Sequence, residues 1–141
     1  MKQVLAALAF VAGLAGFAVS PPALAGKTAL THVVLQVSDG DPKKWGLALN
    51  NAENIREALG KKAKIEIVAY GPGLAMLKAD SPVAGRLNGA LDNNVELAAC
   101  ATTMKKMKVS KEDLVGGAVV VPGGVIEIMK RQAQGWAYVR P

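Results

Sequence analysis

Four times along this chain a short apolar run stops at a turn and gives way to a helical signal, and that repetition limits the fold more than composition does. Leu30 to Val37, "LTHVVLQV", is β-branched and apolar, and is closed by the turn-rich "SDGD". Asp41-Pro42 then supplies an N-cap and a proline at the first helical position. Trp45, Ala48, Leu49, Ala52, Ile55 and Leu59 recur at spacings of three and four, which predicts an amphipathic helix stopped by Gly60. Lys64 to Ala69 is a second strand, ending in Gly71-Pro72-Gly73. Ser81-Pro82 repeats the cap signal ahead of a weaker helix through Leu87 and Leu91. Val95 to Ala99 is a third strand. Ser110-Lys111-Glu112-Asp113 has the spacing of a capping box and predicts one short helix. Ala118 to Val121 is a fourth strand, and Pro122-Gly123-Gly124 leads into the helix "VIEIMKRQAQ". Gly135 stops that helix, and Trp136 to Val139 is a fifth strand. Strands alternating with helices at these spacings predict an α/β fold, a mostly parallel sheet covered on both faces.

The N-terminus sets the compartment. Met1-Lys2-Gln3 precedes the apolar or small-residue run Val4 to Val19, and "SPPALA" ends in Ala23-Leu24-Ala25. A positive start, an apolar middle and a small-x-small end make a signal peptide, residues 1–25, with export to a periplasm as the expected destination. The run falls short of the roughly 18–20 apolar residues of a spanning helix, so no membrane association is expected after cleavage. Residues 26–141 then form a single domain of ordinary size. Without Lys2 the formal charge falls from +6 to +5. The lysines lie in small scattered groups and aromatic residues make up 4% of the chain, which argues against nucleic-acid binding.

An exported chain normally pairs its cysteines, yet this one has a single cysteine, Cys100. It is a buried inert thiol, an intermolecular partner or a working thiol. Two features point to work. In a parallel sheet the loops after the strands share one edge, where ligands bind, and Cys100 follows the third strand there. If "ATTMKKM" opens a helix, unpaired N–H groups stabilise the thiolate, with Lys105, Lys106 and Lys108 adding positive potential. Cys100, Met104 and Met107, spaced i, i+4, i+7, place three sulfur atoms on one helical face, a soft set for Cu(I), or else the methionines fill the core. His32 reads as a core or sheet-face residue, and no second histidine supports a Cys-His pair. Asn50, Asn51 and Asn54 form an amide cluster on the first helix, some expected to bond to a neighbouring loop and the others to lie on a solvated face. Glu127, Arg131 and Arg140 read as surface charge. No nucleotide fingerprint is present, and no cofactor or resident metal is expected.

The segments "HVVLQVSDGDPKKWGLALNNAENIREALG", "IEIVAYGPGLAML", "VELAACATTMKKMKV" and "LVGGAVVVPGGVIEIMKRQAQGWAYVRP" together resemble the DsrE/DsrF-like family. The sharpest markers are "NNAEN", "YGPG", the cysteine followed by Thr103-Met104, and the ending "QAQGWAYVRP". The resemblance implies a three-layer α/β/α sandwich around a five-stranded parallel sheet, homo- or hetero-oligomers, and a cysteine that accepts sulfane sulfur as a persulfide. Cys100 matches that cysteine by position. Ala101-Thr102 follow it, where relatives often carry Gly-Asn, and the signal peptide separates this chain from cytoplasmic relay partners. The expected function is therefore a periplasmic sulfur carrier or sulfurtransferase-like protein, taking sulfur from a small sulfur-containing anion or a partner-protein persulfide. Backbone N–H groups at Gly71, Gly73 and Ala101, with the hydroxyls of Thr102 or Thr103, are the candidate substrate-binding groups. The alternative is a non-catalytic, oligomeric binding module with a structural cysteine.

Overall fold

A computed structural model describes residues 32–141; the proposed signal peptide and the start of the first predicted strand lie outside them. The elements run β1 (His32–Val37), α1 (Pro42–Leu59), β2 (Lys64–Ala69), a 3₁₀ segment (Gly71–Leu77), α2 (Ala84–Asp92), β3 (Val95–Cys100), α3 (Ala101–Met107), β4 (Val119–Val121), α4 (Gly124–Ala133) and β5 (Ala137–Val139). The five strands form one sheet in the order β4-β3-β2-β1-β5. Every pairing is parallel.

That order explains how the helices are shared between the faces. The connections β1 to β2, β2 to β3 and β3 to β4 step across the sheet in one direction. With the usual single hand of crossover they fall on one face, and the return to β5 falls on the other. The first face carries the larger core. There Val33, Leu35, Ile65, Ile67, Leu97 and Ala99 alternate inward and meet Trp45, Leu49 and Ala52 of α1, Leu74 and Met76 of the 3₁₀ segment, Leu87 of α2 and Met104 of α3. On the second face Val34, Val68, Ala98 and Val121 pack against Ile128 of α4, with Tyr70 and Trp136 alongside.

Local chemistry sets most boundaries. The Asp41 carboxylate accepts from the Lys43 N–H at 2.9 Å, and the Gly60 N–H closes α1 on the Arg56 carbonyl. Trp45 is fixed by its indole N–H, which donates to the Asp39 carbonyl at 2.7 Å. The Asn50 amide oxygen accepts from Arg86 of α2 at 2.8 Å, so this asparagine joins two helices and not a helix to a loop.

Three expectations are corrected. Ser110 to Asp113 forms a turn, not a helix. Its carboxylate does accept from the Ser110 N–H at 2.7 Å and hydroxyl at 2.9 Å, as in a capping box. Tethers then hold the following chain extended along the 3₁₀ segment: the Ala79 N–H donates to the Asp113 carbonyl, and the Val115 N–H to the Leu77 carbonyl. The second helix starts at Ala84, because Ser81 and Pro82 are used in a preceding turn.

The third correction concerns charge. Glu127 is buried and Arg131 is mostly so, because α4, alone among the described helices, lies over this face. Glu66 of β2 points under that helix and is fully buried. The Arg131 Nε donates to Glu66 at 2.6 Å and to Glu127 at 2.9 Å, while Nη2 reaches Glu96 at 3.5 Å. The same guanidinium lies 4.5 Å from the Trp136 ring centroid. Burial pushes the Glu66 carboxyl above its ordinary 4.5, and the Arg131 hydrogen bond and charge only partly oppose it. Arg140 is exposed, as expected. His32 packs at a tilt against Trp136, with ring centroids 5.2 Å apart.

Candidate functional site

The strand order brings the four strand-ending loops into one row. The loop after β1 touches the turn after β2, where a Cβ on Gly73 would fall 2.3 Å from the Val37 carbonyl oxygen, so only glycine allows the approach. Beside that turn, Cys100 ends β3, and the β4–α4 loop follows.

Alternation along β3 puts Leu97 and Ala99 in the larger core and turns Cys100 to the face that α4 covers. It is paired in register with Val121 and is 5% exposed. Groups from two separate helix starts surround its sulfur: the N–H groups of Thr102 and Thr103 from α3, the N–H of Gly124 from α4, and the Thr103 hydroxyl. The Cys100 side chain makes no cap hydrogen bond to α3. The effect of these groups is on the anion. Burial is the largest single influence and pushes the thiol up. The Thr103 hydroxyl and the N–H groups of Thr103, Gly124 and Thr102 together outweigh it, so the thiol lies below its ordinary 9.0.

Each neighbour is held from outside α3. The Gly71 N–H donates to Thr103 Oγ1 at 2.9 Å, across 32 residues of chain. The Thr102 hydroxyl donates to the Pro122 carbonyl at 3.1 Å, tying α3 to the β4–α4 loop. Gly124 lets α4 start beside the sulfur. A Cβ there would lie 2.8 Å from the Tyr70 side chain, closer than real Cβ atoms come.

The groups expected to bind substrate therefore divide. Gly71 meets the site through Thr103, and the Gly73 N–H donates to the Tyr70 carbonyl at 3.1 Å. Thr102 and Thr103 stand beside the sulfur, and Ala101 is the first residue of the helix it opens. The three-sulfur face is not assembled. Met104 belongs to the larger core and Met107 is 42% exposed, while Cys100 faces α4. Among the described residues no group of three or more His, Cys, Asp or Glu side chains is placed to hold a metal. Gly124 was the residue that sequence reasoning missed. The "PGG" turn signalled a tight loop, but its arrival beside Cys100 depends on strand order, which periodicity does not encode.

A model of the DsrE/DsrF-like family matches residues 29–141. No curated protein matches the chain. Among solved structures, the protein of unknown function MTH1491 from Methanobacterium thermoautotrophicum is 34% identical, with a TM-score of 0.75 over 78% of this chain and 98% of that one. The conserved protein of unknown function BT1422 from Bacteroides thetaiotaomicron is 14% identical, with a TM-score of 0.67 over 82% of this chain and 98% of that one. The ychN protein from E. coli is 15% identical, with a TM-score of 0.65 over 79% of this chain and 98% of that one. The last two similarities show the fold alone.

Proposed function

Because the chain belongs to the DsrE/DsrF-like family, a family of sulfur-relay type, we propose that it is a periplasmic sulfur carrier whose working group is the Cys100 thiolate. What supports this most is the place of one buried thiol at the N-cap of α3 and near the start of α4, where N–H groups and the Thr103 hydroxyl favour its anion despite the cost of burial. An inert core thiol needs no such donors. In the loading step the thiolate attacks the outer sulfur of a sulfane donor. With thiosulfate, the Cys100 S–S bond forms, the donor's S–S bond breaks, and sulfite leaves with the electron pair. With polysulfide, the leaving group is the chain shortened by one sulfur. An acceptor thiolate then attacks the terminal sulfur and Cys100 departs as thiolate. No external oxidant or reductant is consumed.

The expected partners are a small sulfur-containing anion or a partner persulfide, and further copies of this chain. Support for the last is the exposed apolar surface of the β4 edge and the outer face of α4, where Val119, Val120, Val125, Ile126 and Met129 are 39–63% exposed. Among the described residues no helix is long and apolar enough to cross a membrane.

Cyanide tests the carrier reading, since it removes a persulfide's outer sulfur as thiocyanate. Protein loaded with polysulfide and freed of excess reagent is expected to release about one equivalent per chain, and the Cys100→Ser variant none. Equal release from both proteins would refute the reading.

A further inference from the structure

Three segments meet around Cys100. They are the turn after β2 with its 3₁₀ segment, the chain that runs from Cys100 through α3, and the loop that leaves the sheet at Val121, the register partner of Cys100. Residues 70–77, 100–108 and 121–126 contain no acid, and their only charged side chains are Lys105, Lys106 and Lys108. Asp39 and Asp41, on the same sheet edge, follow β1, two strands away from β3. Glu112 and Asp113 come after the C-terminal end of α3, and the Asp113 carboxylate is bonded to Ser110.

Thr102, Lys105 and Lys106 are spaced i, i+3, i+4, so they share one face of α3, and all three are exposed. That face lies towards the β4–α4 loop, since the Thr102 hydroxyl donates to the Pro122 carbonyl at 3.1 Å. Helix side chains lean towards the N-terminus, here the end where Cys100 sits. Among the described residues neither lysine ammonium has an ion-pair or hydrogen-bond partner. The approach to the thiol is therefore positive, with no carboxylate beside it to cancel the field. Cys100 is 5% exposed, an opening that suits the terminal sulfur of a small donor better than a thiol carried on a folded surface.

We propose that Lys105 and Lys106 are specificity-determining residues that make the approach to Cys100 select small, negatively charged sulfane donors, such as thiosulfate and polysulfide, over neutral ones. The proposal rests on reading Cys100 as the working thiol and names the donor class of that site. Lys108 closes α3 in the left-handed conformation and adds to the same field from further away.

The test alkylates the full folded protein with two reagents alike in size and chemistry, neutral iodoacetamide and anionic iodoacetate. It compares wild type, Lys105→Gln with Lys106→Gln, and Lys105→Glu with Lys106→Glu. Rates at one pH above the alkylation midpoint are taken as a ratio, which cancels any change in the fraction of thiolate. The iodoacetate-to-iodoacetamide ratio should fall about fourfold in the glutamine pair at low salt and further in the glutamate pair. The three proteins should converge in about 1 M salt, where the screening length is about 3 Å. Sulfur uptake from thiosulfate should slow in the same order. A ratio that the substitutions leave unmoved, or that salt does not bring together, overturns the proposal, as does a thiol that reacts with neither reagent. Ratios that fall as stated in a protein that takes up no sulfur sustain the anion selection and sink the carrier reading. Sulfur uptake with unmoved ratios does the reverse.

Discussion

At the scale of single residues, one buried sulfur has conflicting surroundings. Burial alone would make Cys100 a poor nucleophile, and the donors around it reverse that. Gly124 is the one that sequence-distant packing supplies. Gly124→Ala would force its Cβ against Tyr70 or push the start of α4 away from the sulfur. The expected cost is about 1–3 kcal/mol by denaturant titration, with a rise in the alkylation midpoint. A variant of wild-type stability and wild-type midpoint would show that the close approach has no role. Linkage gives a separate check. The folded thiol sits below its ordinary 9.0, so it contributes stability above that pH and loses it as pH falls through the folded value. The stability of wild type relative to Cys100→Ser should therefore grow as the pH is raised towards 9.0, and a flat difference would contradict the depressed thiol.

At the scale of elements, α4 carries the most tension. It covers the smaller core almost alone and brings Glu127 and Arg131 down onto the buried Glu66. Arg131→Met would leave that carboxyl without its counter-charge, and a loss of about 3–5 kcal/mol at neutral pH is expected. The sign of the pH effect follows from the raised Glu66 carboxyl. Its contribution to stability is fully present below the ordinary 4.5 and is lost as pH rises through the folded value. The deficit of Arg131→Met should therefore shrink as pH falls into the acidic range. A deficit that stays constant with pH would point to lost packing instead.

Elements also show what the sequence made legible. Asp41-Pro42 and the spacing from Trp45 to Leu59 announced α1 to within a residue of its bounds, because capping and amphipathicity are local properties. The alternation that announced the parallel sheet is local too. The capping-box spacing at Ser110 misled, since its hydrogen bonds form in a turn while tethers to the 3₁₀ segment decide the path beyond it. Glu127 and Arg131 read as surface charge in the sequence because a helix face acquires burial only when its partner sheet is known. Glu66, a lone acid inside "KIEIVA", was the available warning that a buried counter-charge had to exist. For the site, Cys100 and its edge were readable, and Thr102 and Thr103 are beside it. The roles of Gly71 and Gly73 were not readable, since their N–H groups go to partners that only the tertiary fold brings near.

At the scale of the whole molecule, β4 is the edge strand beside the cysteine's strand, and α4 bears an apolar outer face. Light scattering of the residue 26–141 protein is expected to give a mass above that of one chain. A double change, Ile126→Glu with Met129→Glu, should return it to one chain without unfolding it. A wild type that is monomeric at every concentration would remove this part of the account. The central claim, that Cys100 accepts sulfane sulfur, is tested most directly by the intact mass of that protein after exposure to thiosulfate or polysulfide, beside Cys100→Ser. The account predicts added sulfur on wild type alone, removed by a thiol reductant. An unchanged wild-type mass, with a thiol that also resists alkylation in the native state, would contradict it and make Cys100 a packing residue.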